Sequence, residues 1–350
     1  MSTGKGYAAR CALGVESTYG TPVAVTELIP FSSESINKLI AKIESEYLDG
    51  NPGRKNLTNS LISIQGDLSG EMVYDEETGD PIGCEQLIKG VLGDSARDAA
   101  NSINQYFCAD DVDDHFTIAF SKQVSVWEAA SIKVNTLEIA GNIGEKVTFN
   151  AGGLIGEQLR RTGDAGIENA AAALNALSPT LPTNIVLEDA VFRIGVIAAA
   201  LDSDDETCIE GFSLSINNNL SDPQHATECS TNDSSLTTLE PLRNGRREIT
   251  FTIQIPRYTA DTFFGHLDDD AVLHADLKFS TGSYEFNILL PYLKVDVPTA
   301  PIGGAELIKH EVSFVALRNA ARNANLKFTD TDLIADEIGI ECKSSRTTQA

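Results

Sequence analysis

Positive charge is scarce in this sequence. The 350 residues contain 26 Lys and Arg against 51 Asp and Glu, a formal net charge of −25 at pH 7. A chain this acidic repels phosphate polymers and anionic membrane surfaces. Proteins that hold nucleic acid on a basic surface are therefore excluded.

Long apolar segments are also missing. The longest run, Ile194 to Leu201, has eight residues, whereas a membrane-spanning helix needs about 18 or more. We interpret it as a buried strand or helix. The segment from Met1 to Cys11 has no apolar core, so no signal peptide is predicted and export by the usual route is not expected.

The motifs of metal and catalytic sites are absent. The six cysteines include no C-x-x-C pair and have no His at a ligand spacing, so neither a zinc site nor a disulfide framework is predicted. Asp202, Asp204 and Glu206 resemble the start of a calcium loop, but Thr207 replaces its glycine and Ser213 its bidentate Glu. No P-loop, nucleophile elbow or Cys–His constellation appears. We predict no catalytic, cofactor-binding or metal residue, and no cofactor.

Two further groups of residues carry possible chemistry. The Asp-rich stretches 110–114 and 268–270 are typical of solvated loops. His115 and His274 occur at corresponding places in the two halves of the chain, which favours a structural role at the start of a strand over catalysis.

Alternating patterns predict a mainly β protein. Apolar residues alternate with polar ones from Ile62 to Tyr74 and from Ile249 to Ile255, where Pro256 ends the run. Helices are predicted at Cys84 to Leu92, Ala260 to Leu267 and Ile167 to Leu177. Further strands are predicted at 116–120, 124–127, 134–139, 147–151, 212–216, 277–279, 284–290 and 312–315.

An internal repeat organises these elements. The segment Ser33 to Asn37 recurs as Ser213 to Asn217. Each copy is followed, in the same order, by a polar loop, an alternating strand, a short helix, a His-led strand, a Lys-Val step and a final Val-x-Phe strand. One position departs from the pattern, because Glu34 stands where the second copy has Leu214.

The repeat predicts two tandem β-sandwich domains, each with one short helix. The predicted boundaries are an N-terminal arm at 1–28, a first sandwich at 29–156, a linker with an Ala-rich helix at 157–183, a second sandwich at 184–318 and a C-terminal extension at 319–350. Because the last repeated strand ends before Leu326, we expect removal of Leu326 to Ala350 to leave folding intact.

Several short motifs resemble the tail tube (major tail) proteins of tailed bacteriophages. The resemblance runs from about residue 14 to about residue 318, and its specificity rests on the order of the motifs. They lie at Gly14–Val23, Ile29–Ser35, Asn51–Arg54, Gly66–Tyr74, Lys133–Ile139, Phe212–Leu220 and Leu242–Phe251.

The resemblance implies two tail-tube-type sandwiches and a structural virion protein, not an enzyme. Such proteins stack as rings into a hollow tail through which genome DNA passes without specific binding. The implied partners are other copies of the chain, a tape measure protein, and tail tip or terminator proteins, with assembly in the cytoplasm of the bacterial host. No insertion into a membrane is expected.

The repeat and the charge add three expectations. Two similar domains per chain predict a trimeric ring with pseudo-sixfold symmetry. The surplus of Asp and Glu predicts a lumen lined by carboxylates that keep DNA phosphates off the wall. The candidates for contacts between rings are the loop Asp49 to Ser60, the arm before Ile29 and the tail after Arg318.

Other readings stay open. A tail terminator or another injection-system tube protein would have a similar build. An acidic carbohydrate-binding adhesin would expose aromatic side chains, for which Tyr258, Tyr284 and Tyr292 are the candidates. A β-sandwich hydrolase is disfavoured because no nucleophile and base arrangement is found.

Overall fold

The computed structural model describes residues 5–44, 57–74, 84–177, 183–225, 238–282, 284–304, 307–318, 323–328 and 336–343. Strands dominate these residues, which confirms a mainly β protein. The first half contains β1 (Arg10–Val15), β2 (Glu27–Ile29), β3 (Phe31–Glu34), β4 (Asn37–Glu44), β5 (Leu57–Glu71), β6 (Val73–Tyr74), α1 (Glu85–Leu92), β7 (Gly93–Asp98), β8 (Ile103–Cys108), β9 (Phe116–Ser121), β10 (Val126–Ile132), β11 (Thr136–Asn142), β12 (Thr148–Gly156) and β13 (Gln158–Arg161).

The second half begins after a short helix. Its elements are α2 (Ala171–Ala176), β14 (Thr183–Asn184), β15 (Ala190–Val196), β16 (Gly211–Asn217), β17 (Glu248–Ile255), α3 (Thr262–Asp268), β18 (Leu273–Thr281), β19 (Tyr284–Thr299), β20 (His310–Ala316) and β21 (Gly339–Lys343).

The strands form two large antiparallel sheets and one small one. The smaller of the two large sheets has five strands in the order β13-β10-β9-β1-β2. The larger has 14 strands, whose main path runs β3-β5-β12-β11-β16-β17-β20-β19-β21-β8-β7. Three strands lie off this path, with β4 on β5 and the pair β15-β18 joining β19, and β14 pairs with β6 separately.

Strand β17 shows why the chain folds into sheets here. Ile249, Phe251 and Ile253 are buried on one face, whereas Thr250 is exposed on the other. Successive side chains of a strand point to opposite faces, so this alternation places one face in the core and the other in water. The strand predicted from Ile249 to Ile255 is confirmed.

The helices predicted at Cys84 to Leu92 and at Ala260 to Leu267 are confirmed as α1 and α3. Helix α1 ends where Gly93 adopts a left-handed conformation with φ of 93°, and its amide donates to the Lys89 carbonyl. Helix α2 is shorter than the predicted span, because the residues before it are held extended. There, the Asn169 side chain bonds to the Glu128 carboxylate at 2.9 Å and accepts from the Val25 amide at 2.8 Å.

The two halves share a sheet and a hydrophobic core. Strand β11 pairs with β16 over seven residues, from Thr136 opposite Asn217 to Asn142 opposite Gly211. One cluster of buried side chains includes Leu68 and Phe116 from the first half and Phe251 from the second. The division into two sandwich domains with the boundaries given above stays a prediction.

The C-terminal extension contributes a strand to the large sheet, which argues against the expectation that Leu326 to Ala350 are dispensable for folding. Strand β21 lies inside the large sheet, between β19 and β8, and pairs with both. Ile340 and Cys342 within the strand, and Ile338 just before it, are completely buried. Removal of Leu326 to Ala350 would therefore take out an internal strand and leave the facing edges of β8 and β19 unpaired.

Candidate assembly surface

The strand order in the large sheet occurs twice. The first half supplies β3-β5-β12-β11, and the second supplies β16-β17-β20-β19 directly after it. The ladders agree at the repeated segment, where Glu34 lies opposite Leu68 as Leu214 lies opposite Phe251, but the β3 ladder shifts register before Ser33. The departure at Glu34 is compensated locally, because its carboxylate pairs with Lys122 at 2.7 Å.

We call the β11–β16 pairing the internal joint. The Asn218 amide donates to the Asn135 carbonyl at 2.9 Å, and bonded pairs alternate along an antiparallel ladder. Leu214 therefore exchanges its backbone hydrogen bonds with Ile139. Gly141 lies opposite Phe212 in the joint. A Cβ on residue 141 would lie only 3.0 Å from the Phe212 ring, so glycine makes room for this aromatic side chain.

The outer edge of β3 corresponds to the edge of β16 that forms the joint. Ser35 donates its amide to the Asp67 carbonyl at 3.0 Å, so by the same alternation the N–H and C=O of Glu34 point away from β5. No strand in the described part of the chain pairs with this edge of β3. The chain thus presents an open edge that can accept another strand.

The distal part of β19, from Lys294 to Thr299, is the counterpart of β11. It pairs with β20 on one side, and none of the described strands covers its other side. The ladder shifts between Val295 and Val297, and Pro298 lacks an amide hydrogen. A bulge and a proline are features that keep edge strands from pairing indiscriminately.

One face of the repeated sheet is polar across both halves. It is opposite the core and is made mainly of hydroxyl and amide side chains, with scattered carboxylates. The hydroxyl and amide residues are Ser69, Thr136, Thr148, Asn150, Ser213, Ser215, Thr250, Thr252, Gln254 and Ser313, and the carboxylates are Asp67, Glu71, Glu138, Glu248 and Glu311. The Ser213 hydroxyl donates to the Glu138 carboxylate at 3.2 Å across the joint.

Comparison with known protein families identifies the family of this chain. The model of the phage tail tube protein family matches residues 6–316. The chain belongs to the phage tail tube protein family. A search of the curated proteins gave no match. Family membership makes the chain a structural component of a phage tail, as the resemblance implied.

The first half of this tail tube family member carries a hairpin arm, which we define as β4 with the paired part of β5, Leu57 to Gln65. Every residue of β4 is exposed. Leu39, Ile43 and Leu61 are 50%, 61% and 41% exposed. An isolated two-stranded hairpin is at best marginally stable in water. Of the loop proposed for contacts between rings, Asp49 to Ser60, residues 49–56 lie outside the described residues.

The N-terminal arm, a candidate for ring contacts, is docked on the fold. Glu16 is buried and accepts hydrogen bonds from the Thr117 and Ser131 hydroxyls at 2.5 and 2.8 Å, and from the Ser131 amide at 2.8 Å. Strand β1 pairs with both β2 and β9. Nothing in the local sequence around Glu16 shows these partners, because they lie about a hundred residues along the chain.

The two histidines identified in the sequence have structural roles. His115 comes just before β9, with its Nδ1 2.8 Å from the Asp113 carbonyl and its ring against Tyr19. His274 lies in β18 and is fully buried, 2.8 Å from the Asn323 side chain, and burial lowers its pKa. The two residues lie in separate parts of the fold and are not brought together into one site.

Both Asp-rich stretches are largely solvated, as expected. Asp268, Asp269 and Asp270 are exposed, and Asp270 pairs with Lys294. In the stretch 110–114, Asp110, Asp111 and Asp113 are exposed and Asp114 is half-buried. The exposed Asp110 carboxylate also pairs with Arg318 at 3.0 Å, a partner 208 residues away in the chain.

Two of the three aromatic candidates for sugar binding are engaged within the fold. Tyr258 packs against His310 at 5.3 Å between ring centroids, and Tyr284 stacks on Tyr74 at 5.3 Å. Within the described residues, no group of three or more His, Cys, Asp or Glu side chains could hold a metal ion. In the same part of the chain, no helix is long and apolar enough to cross a membrane.

Proposed function

We propose that this chain polymerises as stacked rings into the tail tube, the conduit for genome DNA during ejection. The observation that carries the proposal is the repeated strand order, which places one joined edge pair inside the chain and leaves the equivalent pair open at its ends. A strand edge that is closed once within a chain can be closed again between chains by the same pairing.

The contact between neighbours in a ring would copy the internal joint. The outer edge of β3 in one copy would pair with Lys294 to Thr299 of the next, as β16 pairs with β11. Three chains with two such units each would close a pseudo-sixfold ring. A head-to-tail contact of this kind gives rings when the rotation closes.

The polar face of the repeated sheet would then line the lumen. Its Ser, Thr, Asn and Gln side chains are neutral, and carboxylates such as Glu138 and Glu311 are spaced among them. This arrangement sharpens the expectation of a wall of carboxylates. A neutral hydroxyl and amide surface offers DNA only weak, exchangeable contacts, while a few negative charges repel its phosphates.

The role is structural, with no reaction catalysed by the chain. The remaining partners would be a tape measure protein within the lumen and tip or terminator proteins at the ends, and the tube would assemble in the cytoplasm of the bacterial host. DNA would pass without specific binding, because sequence is read through base contacts from a closely docked surface and this wall offers no such element.

Electron microscopy of the purified protein tests the proposal. Long tubes with a central channel, three chains per ring and sixfold features in end-on class averages are expected. Six full-length copies per ring would refute the trimer. Single rings that never stack would favour a terminator, and uniform small particles after prolonged concentration would refute the tube.

A further inference from the structure

Four arginines gather at one end of the second half. Arg243, Arg246, Arg247 and Arg318 line a cavity of about 640 Å³ beside the first residues of β17. Asp110, Asp336 and Glu337 line it too, and their carboxylates pair with Arg247 and Arg318. The cluster stands out in a chain of net charge −25. We call it the arginine pocket.

Two of these arginines are committed to the fold. Arg247 donates to the Ala109 carbonyl at 2.7 Å and to Asn218 at 3.0 Å, and pairs with Glu337 at 3.2 Å. Arg318 pairs with Asp110 at 3.0 Å. These contacts fix the walls of the pocket.

The other two arginines keep donors available. Arg243 bonds through one nitrogen to the Asp110 carbonyl, but its Nε and Nη2 are buried and have no acceptor among the described residues. Burial and the nearby charge of Arg247 lower the pKa of Arg243. Arg246 is exposed, and within the described part of the chain its guanidinium forms no ion pair. Buried guanidinium donors without acceptors are costly, so the pocket fits an anionic partner.

A matching acidic turn lies at the opposite end of the same strands. Asp202 and Asp205 close a capping box around the turn, in which the Asp204 amide donates to Asp202 at 2.8 Å. The Asp204 carboxylate is left exposed. With Glu206 beside it, the turn presents negative charge on a backbone that is already ordered.

The position of the turn follows from the strands around it. Gly195 and Thr207, on either side of the turn, line a 230 Å³ cavity together with Ile255 and His310. Ile255 ends β17, whereas the arginine pocket lies at the Glu248 end of that strand. The eight residues of β17 span about 25 Å at roughly 3.3 Å per residue.

We infer that the arginine pocket of one copy receives the Asp202–Glu206 turn of a second copy, and that this is a contact between successive rings. A basic site and an acidic site at opposite ends of one molecule join copies head to tail, which builds an open filament instead of a closed dimer. Copies with a net charge of −25 repel one another overall, so a local complementary pair also sets their orientation. The inference rests on the proposed tube.

Charge reversal at the two exposed ends of the contact tests it. We expect Arg246→Glu and Asp204→Arg each to shorten tubes at least tenfold in sedimentation and negative-stain length distributions, at low salt. Their combination, Arg246→Glu with Asp204→Arg, restores an ion pair of opposite polarity and should recover most of the length. Neither side chain belongs to the committed contacts, so melting temperatures should match the wild type.

Arg161→Glu is the matched control. Arg161 is exposed on β13, so reversing its charge changes the net charge equally and should leave tube length unchanged. If Arg246→Glu perturbs folding, Arg246→Ala replaces it, with a smaller loss expected.

The outcomes separate this inference from the proposed function. Wild-type protein that forms no tubes refutes the proposed function. Wild-type tubes with undiminished length in both single variants, or singles that the double variant does not rescue, overturn the pairing alone. If Arg246→Glu keeps its tubes but loses binding of a labelled DNA oligonucleotide seen in the wild type, the pocket is a nucleic-acid site and the inference is wrong.

Discussion

The internal joint and the open edges are built from corresponding strands but differ in how readily they pair. The joint is a seven-residue ladder without interruption, covered on one face by the shared core. The open edge of β19 has a shifted register after Val295 and a proline at 298, and that of β3 is only four residues long.

The difference separates folding from assembly. The strong pairing forms within one chain, where it needs no second molecule. The edge that would meet a neighbour in the proposed ring carries features that weaken chance pairing, so we expect single copies to stay apart until correctly oriented copies meet. Closure of such a ring would add many weak contacts at once, and the fold of each copy would not depend on them.

The largest expected effect is on the fold, from removal of β21. Deleting residues 329–350 takes away buried Ile338 and Ile340 and should cost more than about 5 kcal/mol, a large part of a domain's stability. We expect loss of soluble protein. Deletion of residues 344–350 alone is the control, and it should leave the melting temperature unchanged. Normal folding of the longer deletion would show that β21 is dispensable.

Breaking the joint should also unfold the chain. Leu214→Pro removes a buried side chain and the amide that bonds to Ile139, so it should cost more than Leu214→Ala, for which about 2–5 kcal/mol is expected. Chemical denaturation of both variants measures the difference. Equal stability of the two variants would mean that the ladder at the joint contributes nothing.

Truncation of core side chains tests whether the two halves of the chain unfold in a single transition. Phe251→Ala, beside Phe192, Phe212 and Phe314, should cost about 3–5 kcal/mol, and the corresponding Leu68→Ala about 2–5 kcal/mol. Because the core is shared, each should shift a single calorimetric transition. Two transitions, of which each variant moves only one, would support independent domains instead.

The smallest effect on stability should come with the clearest effect on assembly. Glu34→Pro removes the amide on the open edge of β3, the counterpart of Leu214 in the joint. Melting should match that of Glu34→Ala, which also loses the Lys122 pair but keeps the amide. Ring formation, followed by native mass spectrometry, should fail only in the proline variant. Intact rings from Glu34→Pro would show that β3 does not pair with a neighbour.

Local sequence patterns predict the parts of this fold that have local causes. The alternation from Ile249 to Ile255 gives β17, and the apolar spacing after Cys84 gives α1. In both cases one face of the element is buried, and the spacing of apolar residues along the sequence marks that face. The order of the repeated segments also predicts the order of the repeated strands.

The parts that sequence patterns miss depend on distant partners. Strand β21 has only five residues, and it is stabilised by β8 and β19, which are far away in the chain. The ion pair of the exposed Asp110 with Arg318 also joins residues that are far apart in the sequence. The arginine pocket likewise joins residues near 110, 245, 318 and 337, and no spacing along the chain brings these together.

The position of β21 also sets the order in which the large sheet is completed during synthesis. Its residues follow both of its neighbours in the chain, yet they lie between these two earlier strands. Without residues 339–343, the pair β7-β8 has no strand that connects it to β19, and the large sheet is in two pieces. A nascent chain therefore joins the two pieces only after Gly339 to Lys343 have been made.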